Sequence, residues 1–158
     1  MTSQIRLDAT DARILAALDA DPHATVLGLS RALGLARNTV HARLRRLESG
    51  DALGPVTRRV RPSALGYPLV AFIEIEISQG TMRDAYSAIA AIPEVVEAHA
   101  TTGGADLLIK ILARDTADLH RLTNMLLDIP GVQRTNTAVS LDEVIPPRLA
   151  PLLDRLGE

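Results

Sequence analysis

Residues 36–48, ARNTVHARLRRLE, contain four arginines and a histidine. The whole 158-residue chain carries a formal net charge of -2, so this stretch is basic within an acidic protein. An arginine side chain can bind a phosphate, or it can form two parallel hydrogen bonds to the O6 and N7 atoms of guanine. Asn38 could read adenine in the same manner. The residue types in this stretch therefore point to contact with double-stranded DNA.

Charge is divided unevenly along the chain. Residues 1–66 contain ten arginines and six acidic residues, a net charge of +4. Residues 67–158 contain seven basic and thirteen acidic residues, a net charge of -6. Such asymmetry suggests a segment that meets a polyanion, joined to a segment that does not.

The basic stretch has the periodicity of a helix with one buried face. At roughly 100° per residue, Val40, Leu44 and Leu47 form a single apolar stripe, and Asn38 and Arg45 point away from it. Arg43 lies beside the stripe, so we predict for it an ion pair with Asp11 or Glu48 instead of a base contact. We predict that the residues facing the DNA groove are Arg37, Asn38, Thr39, His41 and Arg45, and that the phosphate contacts are Arg46, Arg58 and Arg59.

The sequence predicts three short helices, of which the basic stretch is the third. The first begins at Asp8 or Thr10, the second follows Thr25 and ends at Gly34, and the third runs from about 36 to 49. Two helices joined by a glycine turn are typical of a helix-turn-helix. A solvated arginine face without a partner is the alternative interpretation, and this surrounding pattern makes it the weaker one.

The basic run LGPVTRRVRP at 53–62 predicts an extended wing after the third helix. We therefore place a DNA-binding domain at 1–61 and a linker at 62–68. The remaining residues, 69–158, are predicted to form a second domain.

The second domain alternates extended runs with helices in the order βαββαβ. The run FIEIEI has the period of a strand with one buried face. The two helices end in the related sequences IPEV at 92–95 and IPGV at 129–132, 37 residues apart. This order is the ferredoxin-like split βαβ motif, so the chain as a whole is predicted to be α+β. The extended runs lie at 69–78, 95–101, 106–113 and 132–141, and a last helix is expected after Pro146-Pro147.

One face of this sheet would remain uncovered by two short helices. We assign apolar side chains to that outer face, namely those of Phe72, Val96, Ile109 and Val139. Pairing of two sheets in a homodimer would cover them.

The segment HATTGGADLL at 99–108 places small residues between two strands. Gly103 and Gly104 allow positive φ and leave backbone amides open to a carboxylate, and Asp106 could meet an ammonium group. Together these groups would recognise an amino-acid zwitterion. The alternative is an ordinary hairpin loop whose aspartate closes a turn.

Several of these segments resemble the Lrp/AsnC family of feast/famine transcription regulators. The resemblance is carried by LDATDARILAALDAD, LSRALGLARNTVHARLRRLESGD, LGY, IPEVVEAHATTGGADLLIKI and IPGVQRTNTAVSL, and it covers nearly the entire chain. It implies an N-terminal winged helix-turn-helix domain and a C-terminal ferredoxin-like RAM domain. Two positions depart from the usual pattern, with Ala36 at the start of the third helix and Ala105 before the loop aspartate.

The resemblance also implies partners and ligands. Members form homodimers that often assemble into octamers, and they bind a small effector, commonly an amino acid, between subunits. In this chain the residues implied beside Gly103, Gly104 and Asp106 are Thr101, Thr102, Thr135 and Thr137.

Other functional classes find little support. The chain has no cysteine, and no motif points to a metal, a cofactor or an enzymatic reaction. No apolar signal-peptide core begins the sequence, and a cytoplasmic protein is predicted. A siroheme decarboxylase shares this architecture, but the four histidines, at 23, 41, 99 and 120, are scattered. A DNA-architectural protein that ignores metabolites is the other alternative.

Overall fold

The computed structural model describes residues 6–49, 53 and 60–158. They form α1 (Ala9–Ala20), α2 (Val26–Leu33), α3 (Arg37–Ser49), β1 (Leu69–Ile77), α4 (Met82–Ala90), β2 (Val95–Ala100), β3 (Leu107–Ala113), α5 (Thr116–Leu127), β4 (Val132–Val139) and α6 (Ala150–Gly157), with a 3-10 turn at Pro62–Leu65. The chain divides into a first unit of residues 1–57 and 145–158 and a second unit of residues 58–144. The predicted α+β class is confirmed.

Side-chain caps start the first two helices of the first unit. The Asp8 carboxylate accepts a hydrogen bond from the backbone amide of Asp11 at 2.9 Å, and the Asp11 carboxylate accepts one from the amide of Asp8 at 3.1 Å. This reciprocal capping box starts α1. The Thr25 hydroxyl accepts from the amide of Gly28 at 3.1 Å and starts α2. Both helix starts were predicted from these residue types.

The turn between α2 and α3 is closed by hydrogen bonds that the sequence pattern did not predict. Gly34 has a φ of 67°, a left-handed conformation that favours glycine. The Ser30 hydroxyl donates to the carbonyl oxygen of Leu35 at 2.6 Å, and an Arg13 guanidinium nitrogen donates to the carbonyl oxygen of Leu33 at 3.0 Å. These two bonds tie the turn to α2 and α1.

The C-terminal helix α6 belongs to the first unit, although the sequence grouped it with residues 69–158. It packs against α1, and its less exposed positions, Leu153 and Gly157, lie one helical turn apart. A Cβ atom at Gly157 would lie 3.3 Å from Cγ of Arg13, so the absence of a side chain permits close approach of the two helices. The sequence pattern did not predict this contact between α1 and α6, because the two helices are far apart in the chain.

The second unit is a four-stranded antiparallel sheet with the strand order β2-β3-β1-β4. Its helix-covered face buries Ile73, Ile75, Ile109 and Ile111 in a cluster with residues of α4 and α5. The predicted βαββαβ order is thereby confirmed.

The outer face of the sheet, opposite α4 and α5, is more polar than predicted. Phe72 lies on it and is 40% exposed, with the Lys110 ammonium 5.9 Å from the centre of its ring. Ile109 pairs with Ile73, and Val139 pairs with Ala71, so both lie on the helix-covered face instead. Val96 is exposed beside a register irregularity of β2.

The two related helix ends form equivalent turns. The amide of Val95 donates to the carbonyl oxygen of Ile92 at 3.1 Å, and the amide of Val132 donates to that of Ile129 at 3.0 Å. Gly131 stands where the first turn has Glu94. Its φ is 95°, a left-handed conformation that favours glycine. A Cβ atom there would also lie 2.1 Å from the Thr81 hydroxyl oxygen.

No helix among the described residues is long and apolar enough to cross a membrane.

The substitution Gly131→Ala tests this turn. It combines a left-handed conformation with a steric overlap, so we expect the free energy of unfolding to fall by about 2–4 kcal/mol in urea denaturation. Gly104→Ala is the matched control, since its φ is not positive and no atom lies within 4 Å of its added Cβ. Equal stability of the two variants would contradict the assigned role of Gly131.

Candidate nucleic-acid interface and effector site

Helix α3 is anchored by the predicted apolar stripe. Val40 and Leu47 are fully buried, and Leu44 is half-buried. This result confirms that one face of the basic helix packs into the first unit.

The opposite face of α3 presents the predicted groove-facing residues to solvent. All five are exposed, and their side chains make no hydrogen bond or ion pair within the described part of the chain. Asn38 and Thr39 line a shallow surface depression of about 550 Å³ together with Ala42, Arg43 and Arg46. The exposed residues are Arg37, Asn38, Thr39, His41 and Arg45.

Arg43 and Arg46 are held by α1 in an ion cluster, here called the Asp11 cluster, that also includes Asp8. An Arg43 guanidinium nitrogen lies 3.0 Å from Oδ1 of Asp11 and also pairs with Asp8. Arg46 pairs with Oδ2 of Asp11. The predicted pair between Arg43 and Asp11 is confirmed. Arg46 was predicted to contact phosphate, and its pair with Asp11 is a further contact that the sequence pattern did not predict. The phosphate contact of Arg46 stays a prediction.

Two members of the Asp11 cluster, Asp8 and Arg43, have shifted pKa values. The Arg43 guanidinium, followed by the Asp11 backbone amide, lowers the pKa of Asp8 from its ordinary value of 3.8 to about 2. The Asp8 and Asp11 carboxylates in turn raise the pKa of Arg43. Each charge therefore stabilises the opposite one.

The predicted wing lies almost entirely outside the described residues. The proposed phosphate contacts Arg58 and Arg59 fall there, so their role stays a prediction.

The loop between β2 and β3 is held by its own side chains. The Thr101 hydroxyl donates to the carbonyl oxygen of Ala105 at 2.8 Å, and the Asp106 carboxylate accepts from the amide of Ile77 at 2.7 Å. Gly103 has a φ of 124°, whereas Gly104 does not have a positive φ. Thr102 is exposed. The Thr101 side chain thus closes the loop, and the Asp106 side chain ties the loop to β1. Their roles in effector binding stay predictions.

A small pocket lies beside this loop on the outer face of the sheet. Thr135 and Thr137 lie on the opposite face. They pair with Ile75 and Ile73, which places both threonines on the helix-covered face. The outer-face pocket, of about 210 Å³, is lined instead by Glu74, Glu76, Gly104, Ala105, Arg134 and Asn136.

Four of these lining residues were missed by sequence reasoning. Glu74 pairs across the strands with Asn136, and Glu76 with Arg134. The side-chain amide of Asn136 donates to the carboxylate of Glu74 at 3.0 Å, and an Arg134 guanidinium nitrogen lies 3.6 Å from the carboxylate of Glu76. The alternation of FIEIEI does place both glutamates on one face, but only the strand register shows which β4 residues join them.

The described residues contain no group of three or more histidines, aspartates and glutamates that could hold a metal ion. The outer-face pocket instead offers two carboxylates, one guanidinium and the backbone of a glycine loop. Such a set can bind a small zwitterion through both of its charged ends.

An exposed basic helix in one unit and a small polar pocket in the other are features of a DNA-binding transcription regulator with a ligand-binding domain. Comparison with known proteins supports this class. Residues 7–48 match the AsnC-type helix-turn-helix domain, and residues 70–149 match the Lrp/AsnC ligand binding domain. The chain belongs to the Lrp/AsnC family of transcription regulators and is not an enzyme.

Relatives match along most of their length. The HTH-type transcriptional regulator FL11 of Pyrococcus horikoshii is 33% identical over 138 residues, which cover 87% of this chain and 91% of the relative. The structure of E. coli AsnC has a TM-score of 0.84 at 28% identity and covers 93% of this chain and 100% of its own. A regulator of Neisseria meningitidis, solved as a complex with L-methionine, has a TM-score of 0.81 at 27% identity, with 93% and 99% covered.

The pKa of Asp8 predicts how stability depends on pH. Because the pKa in the folded state is about 2 and the ordinary value is 3.8, the contribution is complete above about pH 4 and is lost as the pH falls towards 2. Asn at position 8 still caps α1 but carries no charge. We therefore expect the Tm of the Asp8→Asn variant, followed by circular dichroism, to fall less between pH 4 and pH 2 than that of the parent.

The control for this measurement is Asp19→Asn, on the same helix. Asp19 is exposed and forms no ion pair within the described residues. Its variant should follow the parent curve, and an Asp8→Asn curve that also follows the parent would contradict the assignment.

Proposed function

We propose that this protein is a sequence-specific DNA-binding regulator whose C-terminal domain senses an amino acid. The observation that carries the proposal is the geometry of α3. Its apolar stripe is buried in the first unit, and its five predicted groove-facing residues are exposed without partners in the described part of the chain. The cellular location that follows from such a role is the cytoplasm.

Two kinds of DNA contact are proposed. Arg37, Asn38 and Arg45 reach base edges from the outward face of α3, together with Thr39 and His41. Arg46, Arg58 and Arg59 contact phosphates, which position the protein without reading sequence. A dimer would bind half-sites about 34 Å, or a multiple of that distance, apart.

The outer-face pocket is proposed as the effector site. A carboxylate would meet Arg134 and the backbone of Gly104, and an ammonium group would meet Glu74 and Glu76. Support comes from the lining of the pocket and from the relative that was solved with L-methionine. Thr101, Thr102 and Asp106 are proposed to shape the loop, whereas Thr135 and Thr137 lie on the other face.

Homodimers that assemble further, into higher oligomers such as octamers, are proposed as the functional state. An effector can act only through different affinities for alternative assemblies. It would therefore shift the assembly or turn the DNA-binding units. A DNA-architectural protein would differ by binding without regard to metabolites.

Arg45→Ala and Arg58→Ala test the division between base and phosphate contacts. Arg45→Ala should weaken binding to a selected site by about 1–3 kcal/mol while binding to random DNA changes little. Arg58→Ala should weaken both and reduce the salt dependence. Fluorescence anisotropy at several salt concentrations measures both quantities, and equal losses on both DNAs for both variants would refute the division.

Arg134→Ala tests the effector site. Each of the twenty amino acids is first titrated into the full-length protein by calorimetry, and the ligand that binds is used with the variants. Loss of one charged hydrogen bond, about 1.5–3 kcal/mol, should weaken binding at least tenfold.

Thr137→Ala is the control for the opposite face of the sheet and should bind the ligand as the parent does. If Thr137→Ala loses binding while Arg134→Ala retains it, the outer-face pocket is not the site. If no amino acid binds, or if binding alters neither assembly nor DNA affinity, the architectural alternative gains.

A further inference from the structure

Asp11 is a fully buried carboxylate whose two side-chain partners both lie on α3. It lies on α1 as the third helical residue, N3, and its side chain is one of the two that form the capping box. Oδ1 accepts from Arg43 at 3.0 Å, and Oδ2 accepts from Arg46 and from the backbone amide of Asp8. A buried carboxylate is costly unless it is paired, and the two guanidinium partners offset that cost.

The two partners lie three residues apart on α3. Taken from the centre of the apolar stripe, they sit at roughly -60° and -120° around the helix axis. One carboxylate that holds two points on a single flank of a helix fixes the rotation of that helix, whereas a single ion pair would allow it to turn. The apolar stripe fixes the depth of α3, and Asp11 fixes its rotation.

Rotation decides which side chains of α3 reach DNA. A turn of about 20° moves a side-chain tip, about 6 Å from the helix axis, by about 2 Å. A base-edge hydrogen bond tolerates only a few tenths of an ångström around its usual length. Misrotation of α3 would therefore lose the contacts of Asn38 and Arg45 with base edges.

Arg46 belongs both to the Asp11 cluster and to the exposed face of α3 that is proposed to contact DNA. Its side chain remains 45% exposed while it pairs with Asp11, and it lines the same depression as Asn38 and Thr39. A guanidinium has five N–H donors, so it can bind Asp11 and a phosphate at once. Asp11 thereby also aims Arg46.

We infer that Asp11 is a positioning residue for sequence recognition, which sets the rotation of α3 through Arg43 and Arg46 without touching DNA. The inference rests on the proposed DNA-binding function. It predicts that Asp11 controls discrimination between sequences more than it controls affinity for DNA as a polyanion.

The test uses the full-length protein and the isosteric variant Asp11→Asn. A binding site is first selected from a random DNA library with the parent protein, and affinities for that site and for random DNA are then measured. Asn weakens the hold on two guanidiniums and removes one negative charge. Affinity for random DNA should be unchanged or higher, and the ratio of specific to random affinity should fall about tenfold, the size of one lost base contact.

Asp118→Asn is the matched control. Asp118 is buried in the second unit and is likewise held by two arginines, Arg114 at 3.2 Å and Arg121 at 2.9 Å. Its variant removes a comparable buried charge pair and should leave the specificity ratio as in the parent.

Arg46→Ala gives a second route should Asp11→Asn fail to fold, because it leaves Asp11 paired with Arg43. A phosphate contact alone would weaken both DNAs equally, whereas loss of rotation weakens the selected site further. An unchanged specificity ratio in the folded variant, or an equal loss on both DNAs, overturns the inference. Failure of the parent protein to select any site would instead refute the proposed function.

Discussion

The buried Asp11 carboxylate between two α3 guanidiniums is the interaction on which the recognition surface depends. Helix α3 contributes only three apolar residues to the first unit, and two of them are fully buried. Such a narrow stripe fixes the depth of a helix better than its rotation. The same carboxylate also closes the capping box that starts α1. One side chain therefore couples the beginning of one helix to the orientation of another.

Much of the fold could be predicted because its signals are local. Asp8, Thr25 and Gly34 act within a few residues of the helix ends that they define. The period of FIEIEI and the related ends IPEV and IPGV likewise need only neighbouring positions to be recognised. The βαββαβ order and the helix-turn-helix followed from such signals, and the structure and the relatives agree with both.

The sequence pattern missed contacts that depend on tertiary position or strand register. On a helical wheel Arg46 points outward, and only the position of α1 brings it to Asp11. Thr135 and Thr137 do share one face, as predicted, but their pairing with Ile75 and Ile73 turns that face towards the helices. The pocket residues Glu74 and Asn136 meet through a pairing 62 residues apart in sequence. None of these facts follows from spacing within one element.

The two buried carboxylates of the described chain show how sequence separation changes the consequence of one chemical arrangement. Asp118 binds Arg114 and Arg121, four residues before it and three after, and these partners lower its pKa. This cluster stabilises the start of α5, and Arg121 also lies 3.4 Å from Glu94, before β2. Asp11 binds partners 32 and 35 residues away, so its charges join separate helices. The local pair joins residues near one helix end, whereas the distant pair couples α1 to the face of α3 that is proposed to contact DNA.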